Sequence, residues 1–182
     1  MSSFQPCQLD QNGLLMPSDI LRLFLRTVTR STPRSSPISI RSLNAASQTS
    51  LAKLYFEGYP LGVAAEDIAS AREEIDATFR GDYGALRLDA CATAWVDNQP
   101  VGAVMVVEYS IWDEWLDGPF IIDLFVHPRY RGLGAGRALV LHAIEACSVA
   151  GNAAISLRFG DGTSPAAMNL YKGLGFAPYP SA

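Results

Sequence analysis

Phe120-Ile121-Ile122-Asp123-Leu124-Phe125-Val126-His127-Pro128-Arg129-Tyr130-Arg131-Gly132-Leu133-Gly134-Ala135-Gly136-Arg137 reads as an apolar strand, a glycine turn flanked by arginines, and the start of a helix. Glycine reaches positive φ and lets main-chain amides approach a ligand closely, and the helix behind it offers unpartnered N–H groups at the positive end of its dipole. Together they make a cradle for an anion such as a phosphate. A Walker loop needs Gly-Lys-Ser/Thr, but Gly136 is followed by Arg137 and Ala138, which disfavours an NTPase. The dinucleotide fingerprint needs a glycine where Arg137 stands, and the apolar stretch 153–159 carries no acidic residue to hold a ribose.

What remains is Arg131, Gly134 and Gly136 in an Arg-x-x-Gly-x-Gly pattern, after a strand that closes on Leu124-x-Val126-x-Pro128. In this the chain resembles the GNAT superfamily of acetyl-CoA-dependent N-acetyltransferases, whose main signature is that strand, turn and helix. Downstream, Ser164-Pro165-Ala166-Ala167-Met168-Asn169-Leu170-Tyr171-Lys172-Gly173-Leu174-Gly175-Phe176 looks like the family's closing helix, Asn-x-x-Ala-x-x-Leu-Tyr ending in Gly-Phe. Ala167, Leu170, Tyr171, Gly175 and Phe176 match, while Ser164 stands where asparagine is usual. The resemblance runs over 39–176 and is strongest over 120–176. It implies an α/β (α+β) fold: a mixed, mostly antiparallel central sheet flanked by helices, with splayed central strands.

At 182 residues and 49% hydrophobic content, the chain suits one domain with a sizeable core. The net charge of −4 is uneven: residues 1–36 hold four arginines against Asp10 and Asp19, so the remainder carries −6. That balance argues against a nucleic-acid surface and suits a cationic acceptor, although mild acidity also serves solubility alone. Cys7, Cys91 and Cys147 have neither metal-ligand spacing nor an even count for a disulfide scaffold. The apolar run 138–150 is interrupted by His142 and Glu145 and is too short to span a bilayer, and no signal-peptide pattern opens the chain. A cytoplasmic protein without membrane contact is expected.

The expected organisation is an N-terminal extension, 1–36, followed by the catalytic domain, 37–182. Leu21, Phe24, Leu25 and Val28 fall at helical spacing and predict a helix over 19–30, with Arg22, Arg26 and Arg30 along another face. Such a basic amphipathic helix either docks on an acidic partner or packs on its own domain. Residues 31–37 read as a linker. A strand at 38–43, helices near 45–56 and 65–80, and a hairpin of 90–96 with 101–109 follow. Beyond Phe176 the family normally continues into another strand, but 177–182 holds Pro178 and Pro180, poor ladder residues. The N-terminal extension or a neighbouring subunit is expected to cover the sheet edge, which leaves a homodimer open.

The resemblance implies acetyl transfer from acetyl-CoA to a primary amine by direct attack, with no metal. The acceptor is a small-molecule or peptide amine. Arg131, Gly132, Leu133, Gly134, Ala135, Gly136 and Arg137 would hold the pyrophosphate, with Arg129 adding charge. Leu124, Phe125 and Val126 would lie along the pantetheine arm, Leu124 and Val126 pairing through their backbones. Tyr171 matches the family tyrosine that protonates the departing sulfur; a buried core tyrosine is the plainer reading. Ser164 belongs to the same cofactor set and, before Pro165, also makes a good N-cap. Asp123 and Glu108 are both candidates for the base that takes the ammonium proton, and a salt bridge would explain either equally. The loop carrying Trp112, Glu114 and Trp115 could hold an organic cation by charge and ring face, opposite Tyr55 and Glu57 from the first helix. The same loop also reads as a hairpin connection with its tryptophans tucked inward. Two rivals stand beside the enzyme: a non-catalytic acyl-CoA-binding domain on the same scaffold, and a regulatory module that recruits a partner through its N-terminus.

Overall fold

The computed structural model describes residues 19–25, 37–43, 48–60, 63–160 and 163–179. In chain order these form β1 (Ile20–Phe24), β2 (Ser39–Ser42), α1 (Gln48–Gly58), α2 (Ile68–Arg80), β3 (Ala92–Val96), β4 (Gln99–Val107), β5 (Phe120–Val126), a 3-10 turn (Pro128–Tyr130), α3 (Ala135–Val149), β6 (Ala154–Arg158), α4 (Pro165–Gly173) and β7 (Ala177–Pro178). One mixed sheet runs β2-β3-β4-β5-β6-β1-β7. Every pairing is antiparallel except that of β5 with β6. This is the α/β architecture expected from the two motifs.

The helices cover the two faces. Tyr55 and Tyr59 from the α1 end set their rings against Phe125 at 5.5 and 6.3 Å, and a Cβ on Gly58 would come within 2.9 Å of Phe125 Cβ. On the opposite face, a Cβ on Gly136 of α3 would meet Leu170 of α4 at 3.4 Å and Val126 at 3.8 Å. The strands between are buried on both sides, Val101 and Ala103 to Val107 without exposed surface. Asp67 caps α2 by accepting from the Ser70 N–H at 2.7 Å, and Gly81 ends the helix at φ +86°. The β3–β4 turn closes on Asp97 and Asn98, both at positive φ, so Gln99 and Pro100 belong to the strand rather than to the turn.

The N-terminal reading needs correction. Ile20–Phe24 is a strand, not part of a basic amphipathic helix, and it pairs with β6 from Ile20↔Arg158 to Phe24↔Ala154. On its other side Leu21 and Arg22 pair with Pro178 and Ala177 of β7. Helical spacing misled because Ile20 and Leu21, adjacent in sequence, are both buried, one on each face of the sheet; a strand covered on both faces loses its alternation. The rest of that expectation, 1–18, the helix over 26–30 and the linker over 31–36, lies outside the described residues, as does the start of the helix expected from 45.

Leu21 is 1% exposed, and its neighbour Leu23 touches the space above Gly175. Leu21→Ala is therefore expected to cost about 2–5 kcal/mol, the range for truncating a core leucine, read as a fall in the urea midpoint with an unchanged slope. An N-terminal segment that merely lay on the surface would leave the midpoint where it was.

Candidate active site

β5 carries seven residues but pairs with β6 only at Phe120↔Ser156 and Ile121↔Leu157. From Ile122 onward the two strands part, leaving main-chain groups of β5 without a ladder partner on that side. The gap leads directly to the glycine turn. Gly132 and Gly134 sit at φ +79° and +91°, and a Cβ on either would meet nothing within 4 Å, so the turn needs glycine for its backbone and is open above it. The first α3 bond runs from the Ala138 N–H to the Gly134 carbonyl at 2.9 Å; the N–H groups of Ala135, Gly136 and Arg137 precede it. Arg131 donates to the Val126 carbonyl (3.1 Å) and the Gly58 carbonyl (2.6 Å), bracing the turn against the end of α1. Leu133, Arg129 and Arg137 are exposed around it.

A β-bulge decides where Asp123 points. Met105 pairs with Asp123 but Val106 pairs with Ile121, so Ile122 is the extra residue. Met105 and Val107 are two apart on β4 and share a face, and their partners Asp123 and Phe120 therefore share it too. Asp123 thus projects to the α1 side, where the Tyr59 hydroxyl donates to its Oδ1 at 2.9 Å. Burial pushes its carboxyl up to about 7; the Tyr59 hydrogen bond opposes this and the charge of Glu74 adds to it. Leu124 and Val126 face the other way, toward α3 and α4.

Tyr171 lies buried near the end of α4, its ring edge-on to Phe176 at 5.8 Å. Burial, helped by the nearby Asp123 charge, raises its phenol to about 12. Asp123 and Tyr171 are thus within electrostatic reach of each other from opposite sides of the sheet. Ser164 caps α4, its hydroxyl accepting from the Ala167 N–H at 3.2 Å. The other candidates are less convergent. Glu108 lies at the end of β4 away from the glycine turn, 3.7 Å from Arg87, and is not brought to Asp123. Glu57 pairs with His127 at 3.5 Å beside the turn, apart from the tryptophan loop. Tyr55 packs edge-on against Tyr59 at 5.3 Å, within the Asp123 cluster. Cys91 is buried with its thiol pushed up to about 12 by that burial, which makes it a core residue.

In the loop between β4 and β5, Trp112 stacks on Tyr83 at 6.0 Å and Trp115 on Tyr179 at 6.1 Å, so both indoles are engaged within the protein. Glu114 lines an open cavity of about 510 Å³ walled by Tyr109 to Asp117. Sequence reasoning missed the partners of this loop: Arg158 binds Asp113, and Arg22 reaches Asp117 at 2.5 Å. It also missed the Tyr59–Asp123 bond and Glu74, which accepts from the Tyr83 hydroxyl at 2.6 Å. No group of histidine, cysteine and acidic side chains among the described residues is arranged to hold a metal.

The profile of the acetyltransferase (GNAT) family matches residues 49–176. The chain belongs to this family. Among solved structures, a GCN5-related N-acetyltransferase from Sphaerobacter thermophilus is similar at a TM-score of 0.66 and 13% identity, over 88% of this chain and 48% of that one. PH1933 from Pyrococcus horikoshii OT3 is similar at 0.61 and 25% identity, over 80% and 92%. The GNAT family N-acetyltransferase YhbS from Escherichia coli, solved in complex with CoA, is similar at 0.57 and 24%, over 81% and 73%. The chain thus spans about half the length of the Sphaerobacter protein. No curated protein matches it. No helix among the described residues is long and apolar enough to cross a membrane.

The raised Asp123 pKa fixes a sign. An unfolded aspartate titrates near ~3.9, so the group binds its proton more tightly in the fold. Its contribution to stability is complete below that pH and is lost as pH climbs through about 7. Asp123→Asn, which keeps an acceptor for Tyr59, is expected to gain stability relative to the parent between pH 4 and pH 7, as about those two pKa values dictate, with no further change above. Urea unfolding across that range checks it; a constant offset would mean that the carboxyl is not held in its proton-bound form.

Proposed function

We propose that the chain transfers an acetyl group from acetyl-CoA to a primary amine by direct attack, with Asp123 as base and Tyr171 as acid. The observation that carries this reading is the open half of β5, which runs from beside Asp123 into a glycine turn with free helix N–H groups. CoA fits that channel. Gly132 and Gly134 leave room above the turn, and the N–H groups of Ala135, Gly136 and Arg137 suit a diphosphate, with Arg129 and Arg137 adding charge. Arg131 serves as the strut that keeps the turn in place. The unpaired backbone of Leu124, Phe125 and Val126 suits the amides of the pantetheine arm. YhbS from Escherichia coli, similar at 24% identity, was solved in complex with CoA, which supports CoA as the ligand class. Acetyl-CoA supplies an acyl thioester, whose carbonyl carbon is the electrophile.

The protein's own part is proton management and orientation. An amine attacks only when unprotonated, and a carboxylate titrating near 7 can take its proton at neutral pH while remaining basic enough to be useful. Tyr59 holds that carboxylate in one orientation. Tyr171, at about 12, stays protonated and can deliver its proton to the departing thiolate. The two groups are held apart in pKa by their surroundings, as an acid and a base in one site require.

Thiol release from acetyl-CoA in the presence of a panel of primary amines, including alkyl diamines, aminoglycosides, amino acids and peptide N-termini, tests the reading. Turnover with at least one amine is expected, with an inflection in kcat/KM near pH 7 as Asp123 loses its proton. Asp123→Asn should lower kcat about 10²-fold and abolish that inflection. Tyr171→Phe should lower kcat while CoA affinity holds. Gly134→Val should instead weaken CoA binding. CoA uptake by calorimetry without turnover on any amine would replace the enzyme with an acyl-CoA-binding domain.

A further inference from the structure

The loop between β4 and β5 is held by two arginines, Arg22 of β1 and Arg158 of β6. Arg22 of β1 is buried, yet its guanidinium donates to the Asp117 carboxylate (2.5 Å), the Asp117 carbonyl (3.1 Å) and Ser156 Oγ (3.4 Å). Its plane also lies over the Tyr179 ring at 4.8 Å, and Tyr179 is the ring on which Trp115 of the loop stacks. Arg158, the residue after the last β6 position paired with β5, is bound by Asp19 on one side and Asp113 on the other. Asp113 is itself buried and accepts from Ser110 Oγ at 2.7 Å. Beneath this network sits a small apolar cluster of Ile20, Val107, Leu116 and Phe120.

Two features place that network beside the chemistry. Phe120 and Asp123 share a face of the sheet because of the bulge at Ile122, and the loop packs on that face through Leu116. Arg158 stands where β6 leaves β5, and Asp123 lies two residues past the same point on β5. Trp112 of the loop stacks on Tyr83, whose hydroxyl donates to Glu74, and the Glu74 charge acts on Asp123, so the loop reaches the Asp123 side of the sheet, with a cavity of about 510 Å³ opening among its own residues. An ion pair with a buried member is a poor source of net stability compared with apolar packing, but it fixes geometry, since taking the partner from Arg22 or Asp113 strands a buried charge. The apolar cluster beneath the loop already supplies adhesion.

Resting on the acyltransferase reading, we infer that the N-terminal strand is a positioning element of the amine site. Arg22, and the chain Asp19–Arg158–Asp113, set the 110–117 loop as the wall against which the acceptor is held. None of these residues touches the glycine turn, so the device acts on the amine and not on CoA.

The test uses the full chain with n-butylamine as a minimal primary-amine probe, CoA calorimetry, and amide hydrogen exchange over 110–117. Asp113→Asn and Arg22→Gln are expected to raise the amine KM about tenfold or more with kcat little changed, to leave CoA affinity unchanged, and to speed exchange in the loop. Arg22→Lys, which keeps the charge facing Asp117, should keep much of the parent KM, and the rise in KM without a change in kcat or CoA affinity is what a general structural defect would not give. Unchanged KM and unchanged loop exchange in both single variants overturns the inference, as does a parallel loss of CoA affinity and kcat. Should the parent bind CoA but acetylate no amine, the acyltransferase reading fails by itself. Exchange then decides the tether: faster exchange in the variants upholds the loop-holding role, and unchanged exchange removes it.

Discussion

β5 and β6 run parallel for two residue pairs and then separate, and the rest of the site depends on that separation. Were the ladder to continue, its hydrogen bonds would consume the main-chain groups from Ile122 to Val126 and close the channel to the glycine turn. Several contacts keep β5 on the β4 side. Gly102 lets the two backbones come so close that a Cβ there would sit 2.7 Å from the Phe125 carbonyl oxygen. Phe125 is locked under Gly58 and the rings of Tyr55 and Tyr59. Arg131 then ties the Val126 carbonyl to the end of α1. β6 is drawn the other way by its full-length pairing with β1. The gap is thus a product of two satisfied sheets' worth of bonding on either side, and it needs no strained residue to stay open.

The legible parts of the sequence were those in which a residue type answers a local demand. Gly132 and Gly134 are required by positive φ, Ser164 and Pro165 by the start of α4, and Asp97-Asn98 by a tight hairpin; each acts within a few residues of itself. What escaped reading was set by partners distant in sequence. β1 could not be told from a helix because its burial comes from β6 and β7 and from side chains elsewhere in the chain such as Leu116 and Phe120, none of which is visible in a stretch of five residues. Asp123 was recognisable as a candidate, yet its aim depended on a bulge defined by register against β4. The acids of the 110–117 loop suggested a cation site, and two of them turn out to face arginines 45 and 95 residues away. Glu108, equally acidic and one residue beyond β4, was directed to Arg87 by a strand end that sequence could not orient.

The electrostatics of the site follow from the same geometry. The α1 face brings Asp123, Tyr55 and Tyr59 together, with Tyr171 in reach from the other side of the sheet, and burial disfavours a negative charge on each of the four. Asp123 and Tyr171 rise to about 7 and 12, and Tyr59 rises well above its ordinary value because it is buried and donates to Asp123. On the proposed reading, the burial that holds the Asp123 carboxyl at about 7 lets it take the proton of an ammonium and keep it. The thiols do not compete for the role: burial raises Cys91 to about 12 and Cys147 to about 11, far from the thiolate state a nucleophile needs.

Charge is used differently on the two sides of the gap. At the turn, main-chain dipoles are left free and the nearest arginine is braced on carbonyls, which keeps the anion-binding groups exposed and ready. At the loop, Arg22 and Asp113 are buried and each is paired, with Asp117 and with Arg158, so that position is what they confer. On the proposed reading, this separates affinity for the acyl donor, carried by the backbone of a turn built on Gly132 and Gly134, from placement of the acceptor, carried by side chains and by a strand from the other end of the chain. Changes in the loop can then alter which amine is held without disturbing the groups that hold the donor.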